Sequence, residues 1–538
     1  MNGASRLSMS GLDVAIVVAY LIGIVGLGLW AWRRRRTKEA SSAQYFLAGA
    51  SLRWPVIGLA LFSTNISTIH LVSLAQEGYV NGLAYGNFEW MAAFLLIVLA
   101  LFFAPFYIRS RVATLPDFLE KRYSRASRDW LAGLSIVSAV FIHIGFSLYT
   151  GAVVLRGLFG IDINTSILVT ALLTGLYTAV GGLLAVVVTE SVQTVILIAG
   201  SACVLGFGLA RIGGWEAFVA AVEPVKLTVL RTASETPTLP WYAVFLGYPV
   251  IGLWYWCADQ TIVQRVLGAR DERQARLGPL FAGFIKVLPV FLFVLPGLVA
   301  YGLVRQGRLP APESSADVYS LLVNNVLPAG LKGLVAAALL AALMSTVSGA
   351  LNSIATLFTL DIYRRWRPRA TERRLTAVGR AVTVAGMAVA VLWSPMISHF
   401  QSLFQGITAV ICYIAPPITA VFLWGVLWKK ASAAAARVTL MAGSGLGLVV
   451  FLLDWFKAAT GWNVPAMMAT FYLFVACSAI LAAVSLLKPH VHTEESAKLV
   501  WARPVDAVRG PWGPGLLDYR LVALALFLLM VGLYAFFG

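Results

Sequence analysis

Apolar residues in this chain run in blocks long enough to cross a bilayer, separated by short stretches rich in Arg, Lys, Gly and Pro. About 20 apolar residues span the hydrocarbon core as a helix, and in lipid the backbone must satisfy its own hydrogen bonds. The pattern predicts fourteen spans, near 11–32, 52–79, 84–108, 130–157, 164–182, 183–210, 241–259, 280–304, 328–362, 375–398, 402–427, 434–453, 466–487 and 519–537. They are numbered here 0 to 13, and the fold class they predict is an all-α integral membrane protein. The loops near 211–240 and 488–518 are too short for an independent core. The cluster Arg33-Arg34-Arg35-Arg36-Thr37-Lys38 follows the first apolar run, whereas a cleavable leader carries its charges in front.

Composition agrees: of 538 residues, 59% are hydrophobic and 12% charged, against roughly 25% charged in soluble domains. The formal net charge is +17, from 41 basic and 24 acidic residues. In a soluble chain that surplus would raise nucleic-acid binding. Its placement argues otherwise. With the N-terminus outside, the fourteen spans put 31 Lys and Arg in cytoplasmic loops, nine outside, and Lys286 within a span. That asymmetry is the one cytoplasmic loops carry. The expectation is a multi-pass cell-membrane protein with both termini outside, basic loops against anionic lipid, and no nucleic-acid partner. Cys203, Cys257, Cys412 and Cys477 all fall in apolar stretches and read as small buried hydrophobes. The five His are scattered, without metal-ligand spacing.

Polar residues inside spans carry the remaining information, because each is costly in lipid. Span 1 holds Ser63-Thr64-Asn65-Ile66-Ser67-Thr68-Ile69-His70 at mid-depth. Such side chains compete for backbone hydrogen bonds, and an unwound turn would free carbonyls for a cation. A continuous helix with hydroxyls bonded to the preceding turn is the other reading. In span 8, Ala342, Ser345 and Thr346 share one helical face, as an oxygen cage for a monovalent cation or as small residues for close packing. Glu89 in span 2 and Lys286 in span 7 face a cavity or each other, as pocket residues or as a structural ion pair. Tyr255 and Trp256 are either interfacial belt residues or stacking faces for a ligand.

Residues 45–430 resemble the sodium/glucose cotransporter family, within the sodium:solute symporter group. The resemblance rests on Ser63-Thr64-Asn65-Ile66, Asn87-Phe88-Glu89-Trp90 and Tyr177-Thr178-Ala179-Val180-Gly181-Gly182, continued through Ala185-Val186 to Thr189-Glu190 and Gln193. It extends through Trp254-Tyr255-Trp256-Cys257-Ala258-Asp259-Gln260, Val263-Gln264-Arg265, Leu343-Met344-Ser345-Thr346, Leu351-Asn352-Ser353, Ala355-Thr356-Leu357-Phe358-Thr359 and Asp361-Ile362-Tyr363. It implies two inverted five-helix repeats, 52–210 and 241–430, with broken helices 1 and 6. An N-terminal extra span (1–51), an outer loop (211–240) and C-terminal spans (431–538) would complete the chain.

The resemblance also implies a sodium site at the carbonyls of Ser63, Ile66 and Ala342 and the hydroxyls of Ser345 and Thr346. It implies a sugar pocket from Asn65, His70, Glu89, Tyr255, Trp256 and Lys286, with Tyr255 closing it from inside and Leu74, Phe88 and Phe404 as outer lid. Three departures stand out. Thr408 replaces a pocket Gln, with Gln405 one turn earlier; Glu190 replaces an Asp near a second cation site with Ser345 and Ser348; Ser63 replaces an Ala.

The expected function is a sodium-coupled symporter importing a hexose-like sugar by alternating access, with sodium as coupling ion. A cyclitol such as myo-inositol, another small polar solute, or a transporter-derived sensor are the alternatives. An enzyme is not expected, because the spans hold no nucleophile–base pair.

Overall fold

The computed structural model describes residues 9–35, 41–399, 403–489, 492–509, 513 and 515–538. Among them the regular structure is helical, and extended segments pair only at one bridge, Leu52 with Ala269. Helix α1 is Gly11–Arg35. An interrupted helix follows as α2, Trp54–Asn65, and α3, Thr68–Asn81. Then come α4, Asn87–Val98; the short α5, Leu115–Arg122; and α6, Arg125–Ser138, running through a wide turn into α7, Gly145–Phe159. Helix α8, Ile163–Ile212, has 50 residues. A second interrupted helix comprises α9, Trp241–Leu253, and α10, Gln260–Leu267. After α11, Glu272–Ile285, and α12, Leu295–Arg305, the chain forms α13, Leu331–Thr356, and α14, Glu372–Trp393. It closes with α15, Leu403–Leu427; α16, Ala433–Trp455; α17, Ala466–Leu487; and α18, Tyr519–Phe537.

Eleven helical runs among the described residues are long and apolar enough to cross a membrane. The fourteen spans expected from the pattern do not correspond one to one with them. Helix α8 contains two expected spans divided at Gly182, whose φ of +61° and ψ of −157° leave the helical region. A Cβ at Gly182 would run into the Tyr45 backbone, so only glycine fits both the dihedral and the space. The two interrupted helices fall below spanning length because each stops mid-way.

The helix breaks have local causes. Helix α2 opens with Pro55 in its first turn, where a missing N–H costs nothing. It ends at Asn65, with Ile66 and Ser67 extended, at the Ser/Thr/Asn patch. In the second case Pro249 lies inside α9, the helix widens over Trp254–Ala258, and extended Asp259 caps α10 through Ile262 N–H at 3.2 Å.

Burial orders the bundle. The most apolar window of the Leu331–Trp366 run is 94% buried, against 17% for Tyr519–Phe537. So α13 is the central post, packed most extensively on α8, while α18 is peripheral. Leu392, Leu487 and Phe536 are exposed large apolar residues, as lipid-facing positions should be. Of the four cysteines, Cys257, Cys412 and Cys477 are buried and Cys203 is only partly so.

Candidate functional site

The break between α2 and α3 faces α13 at Ala342–Thr346. In an unbroken helix Ser67 N–H would bond Ser63 O. Here Ser67 N–H donates to His70 Nδ1 at 3.2 Å, and the Ser63 carbonyl is released. Ser345 Oγ reaches that carbonyl at 2.8 Å and Ala342 O at 3.0 Å. Thr346 Oγ1 lies 3.1 Å from Ala342 O, 3.4 Å from Thr64 O and 3.5 Å from Ile66 O. Two hydroxyl protons therefore serve four carbonyl oxygens. The cluster has surplus lone pairs and no formal charge, in a buried position at the negative end of α2. A small hard cation suits that chemistry. The structure thus brings together Ser63, Ile66, Ala342, Ser345 and Thr346.

Asn65 points the other way. Its Oδ1 lies 2.5 Å from Lys286 Nζ, and its Nδ2 donates to Tyr255 OH at 3.1 Å. Lys286 Nζ also pairs with Glu89 Oε2 and sits 5.6 Å from the Trp256 ring centroid. Asn65, Glu89, Trp256 and Lys286, all buried, and the partly buried Tyr255 form one cluster from α2, α4, the α9 extension and the end of α11. His70 is engaged at the break, where its Nδ1 lies 3.2 Å from Ser67 N and 3.0 Å from Ser67 Oγ. Leu74 is buried, and Phe88 stacks on Tyr85 at 5.9 Å and meets Tyr248 edge-on at 5.8 Å. The side chains of Phe404, Gln405 and Thr408 lie outside the described residues.

Glu190 comes from α8, which packs on α13 beside this cluster. Its Oε1 lies 2.5 Å from Arg265 Nη2 and 2.9 Å from Thr64 Oγ1, and its Oε2 is 3.3 Å from Arg265 Nε. Both side chains of the ion pair are fully buried. Ser348 Oγ bonds Ser345 O at 3.0 Å. A cation held by Glu190, Ser345 and Ser348 would share the carboxylate with the guanidinium.

Arg265 carried no assigned role in the sequence, because it stands where a cytoplasmic loop was expected. Arg122 and Arg276 were placed in loops on the same ground, and both are buried. Arg122 binds the carbonyls of Gly425, Trp428 and Ala431 at the end of α15. The missed signal for Arg265 was its place with Thr261 and Gln264 on the polar face of α10, opposite Ile262, Val263 and Val266. Asp361, at the far end of the α13 run, accepts from Thr114 Oγ1 at 2.9 Å and Arg128 Nε at 2.7 Å. Arg128 also holds Glu120 at 2.5 Å, and Arg365 pairs with both Glu120 and Asp129. Burial works to raise the Glu120 pKa, but Arg128 and then Arg365 outweigh it and hold the carboxyl below its ordinary value.

Interrupted helices whose broken backbone meets a buried polar cluster define a secondary transporter. The sodium:solute symporter family model matches residues 45–443, and the chain belongs to that family. Membership makes it a membrane transporter and not an enzyme, with sodium as coupling ion. It is 32% identical to sodium/glucose cotransporter 1 of Ovis aries over 538 residues, covering 91% of this chain and 81% of the relative. It is 35% identical to sodium/myo-inositol cotransporter 2 of Mus musculus over 493 residues, covering 85% and 72%. In fold it is similar to a Na+-coupled sialic acid symporter in a substrate-bound outward-open state, with TM-score 0.78 and 20% identity. That match covers 90% of this chain and all of the other. A nucleobase-cation-symport-1 family transporter in a closed conformation gives TM-score 0.53 at 13% identity, covering 87% and 98%.

Proposed function

We propose that this chain is a sodium-coupled symporter that imports a neutral sugar or cyclitol by alternating access. One observation carries the reading. Asn65 sends its side chain to Lys286 and Tyr255, while the carbonyls on either side of it, of Thr64 and Ile66, turn to Thr346. Ion and solute would thus share one unwound turn. Filling the oxygen cluster holds that turn open toward the polar cluster, and a solute on Asn65 braces the turn for the ion. Such linkage is reciprocal.

The polar cluster suits a polyol. Lys286 and Glu89 offer charged partners that a hydroxyl bonds more strongly than a neutral group does, and they neutralise each other. Trp256 offers a face for the apolar C–H side of a ring. Named relatives carry glucose and myo-inositol, which supports this class. Thr408 with Gln405 would tune the choice among hydroxyl patterns. Glu190, Ser345 and Ser348 form the candidate for a second cation.

Dividing α8 at Gly182 and counting each interrupted helix as one crossing supports fourteen spans, and the basic loops then favour both termini outside. Residues 52–210 and 241–430 would be the inverted repeats, with 1–51, 211–240 and 431–538 as additions. The test is tracer uptake into proteoliposomes with and without an inward sodium gradient, across glucose, galactose, myo-inositol, proline and a carboxylate. Gradient-driven uptake competed by a sugar or inositol is expected. Competition by the amino acid or carboxylate alone overturns the substrate class, and substrate binding without uptake favours a sensor.

A further inference from the structure

Helix α1 lies outside the cluster residues, yet it touches the post that presents them at two heights. At the outer end of α13, the cap residue Gly330 has φ +87° and no side chain to cap with. The cap comes from α1 instead. Asp13 Oδ1 accepts the N–H groups of both Gly330 and Gly333 at 2.7 Å, across more than 300 residues of sequence. Its Oδ2 accepts Ser10 N–H at 2.9 Å and Ser10 Oγ at 2.7 Å. The carboxylate is fully buried and its oxygens are all used. Gly333 makes the approach possible, because a Cβ there would lie 2.6 Å from Asp13 O and 2.7 Å from Asp13 Cα.

The second contact is at the level of the oxygen cluster. Tyr20 OH lies 3.8 Å from Met344 Sδ and accepts from Gln193 Nε2 at 3.1 Å. Tyr177 OH reaches Met344 O at 3.4 Å from the α8 side. Met344 immediately precedes Ser345 and Thr346. A helix pinned at its first turn and again beside Met344 cannot slide or rotate freely, and rotation is what would swing the two hydroxyls off the α2 carbonyls.

We propose that Asp13 is a positioning residue for sodium: by capping α13 from α1 it sets the register of Ser345 and Thr346 against the broken turn. This rests on reading the Ser63, Ile66, Ala342, Ser345 and Thr346 oxygens as the sodium site. Asp13→Asn keeps the size of the side chain but loses the charge on the helix N-terminus and one of its acceptors. Such a cap loss corresponds to about a fivefold change in an equilibrium.

The experiment uses the full-length protein in detergent and measures thermal stabilisation against sodium concentration, with choline keeping ionic strength constant. Bound sodium at concentration c stabilises by RT ln(1 + c/Kd), so the melting temperature climbs with sodium concentration and climbs less for a weaker site. Asp13→Asn is expected to raise the half-saturating sodium concentration by about fivefold, with a melting deficit that grows as sodium rises and glucose or myo-inositol uptake near wild type at saturating sodium. Asp13→Glu, which keeps the charge, should fall between. A variant that melts lower by the same amount at every sodium concentration has a structural role only and overturns the proposal. If Asp13→Asn does not fold, Tyr20→Phe and Gly333→Ala are read the same way, and unchanged sodium dependence in both overturns it. The double variant Ser345→Ala/Thr346→Ala run in parallel separates the failures. If it keeps its sodium response, the site reading is at fault; if it loses the response while Asp13→Asn is unaffected, only the positioning proposal falls.

Discussion

Two acid–base pairs lie buried in this bundle, and they are built differently. Glu89 meets Lys286 at the polar cluster, where the ammonium also reaches Asn65 and hovers beside Trp256. Glu190 meets Arg265 through both carboxylate oxygens, with Thr64 alongside and Gly349 of α13 packed on the guanidinium. Lysine is a point charge on a flexible stem, so it trades one oxygen for another at little geometric cost. Arginine's planar fork matches a carboxylate and holds it. The first pair is suited to admit a solute hydroxyl between its members, and the second to lock α8 against α10 beside α2. Burial alone does not distinguish them; the donor chemistry does.

Removing one member of the locked pair should have the largest effect. Arg265→Ala leaves a buried carboxylate uncompensated, a loss of roughly 3–5 kcal/mol, measured as a fall in thermal stability in detergent. Arg265→Met with Glu190→Gln should recover most of it, because a buried pair replaced by similar volume is often neutral. If the single variant melts like wild type, the pair is no lock.

Next in size is the oxygen cluster between the two pairs. Ser345→Ala/Thr346→Ala removes both hydroxyls and keeps the helix. Uptake should lose its sodium dependence, with half-saturation shifted by at least tenfold, about 1.4 kcal/mol. Equal sodium dependence in the double variant would place the ion elsewhere.

The exchangeable pair should respond through the solute. Glu89→Gln keeps shape and one acceptor, so apparent solute affinity should weaken by about 0.5–1.5 kcal/mol, read as a higher half-saturating sugar concentration. The comparison fails if Glu89→Gln unfolds as readily as Arg265→Ala.

The smallest effect is at the network of Glu120, Arg128, Arg365 and Asp361 at the far end of the α13 run. Glu120 is held below its ordinary value of 4.5, so its contribution is complete above that pH and is lost as pH falls through the folded value. Near the surface that is worth less than about 1 kcal/mol. Glu120→Gln should lower the melting temperature slightly at neutral pH and converge with wild type in acid, so that the acid limb of its profile is flatter.

Much of the architecture was legible because it depends on neighbours in sequence. Apolar blocks set the helices, and the Ser63–Thr68 patch stood out as either a break or a continuous helix with bonded hydroxyls, the break being what the family resemblance implied and what the structure has. Helical spacing placed Ser345 and Thr346 on one face without any knowledge of what that face meets. The same local view misread Arg122, Arg265 and Arg276 as loop charges, since a charge at the edge of an apolar run looks alike whether it meets water or a carboxylate.

What the sequence by itself determined is thus a multi-pass helical membrane protein, the depth of its polar residues and the family it resembles. Periodicity and helix-breaking are properties of a few adjacent residues and survive in a string of letters. The tertiary structure alone decided that Lys286 sits between Asn65 and Glu89, that Arg265 locks Glu190, and that Asp13 caps a helix more than 300 residues away. In lipid every buried charge must find a partner, but which partner it finds depends on how the helices pack, and chain order does not encode that distance.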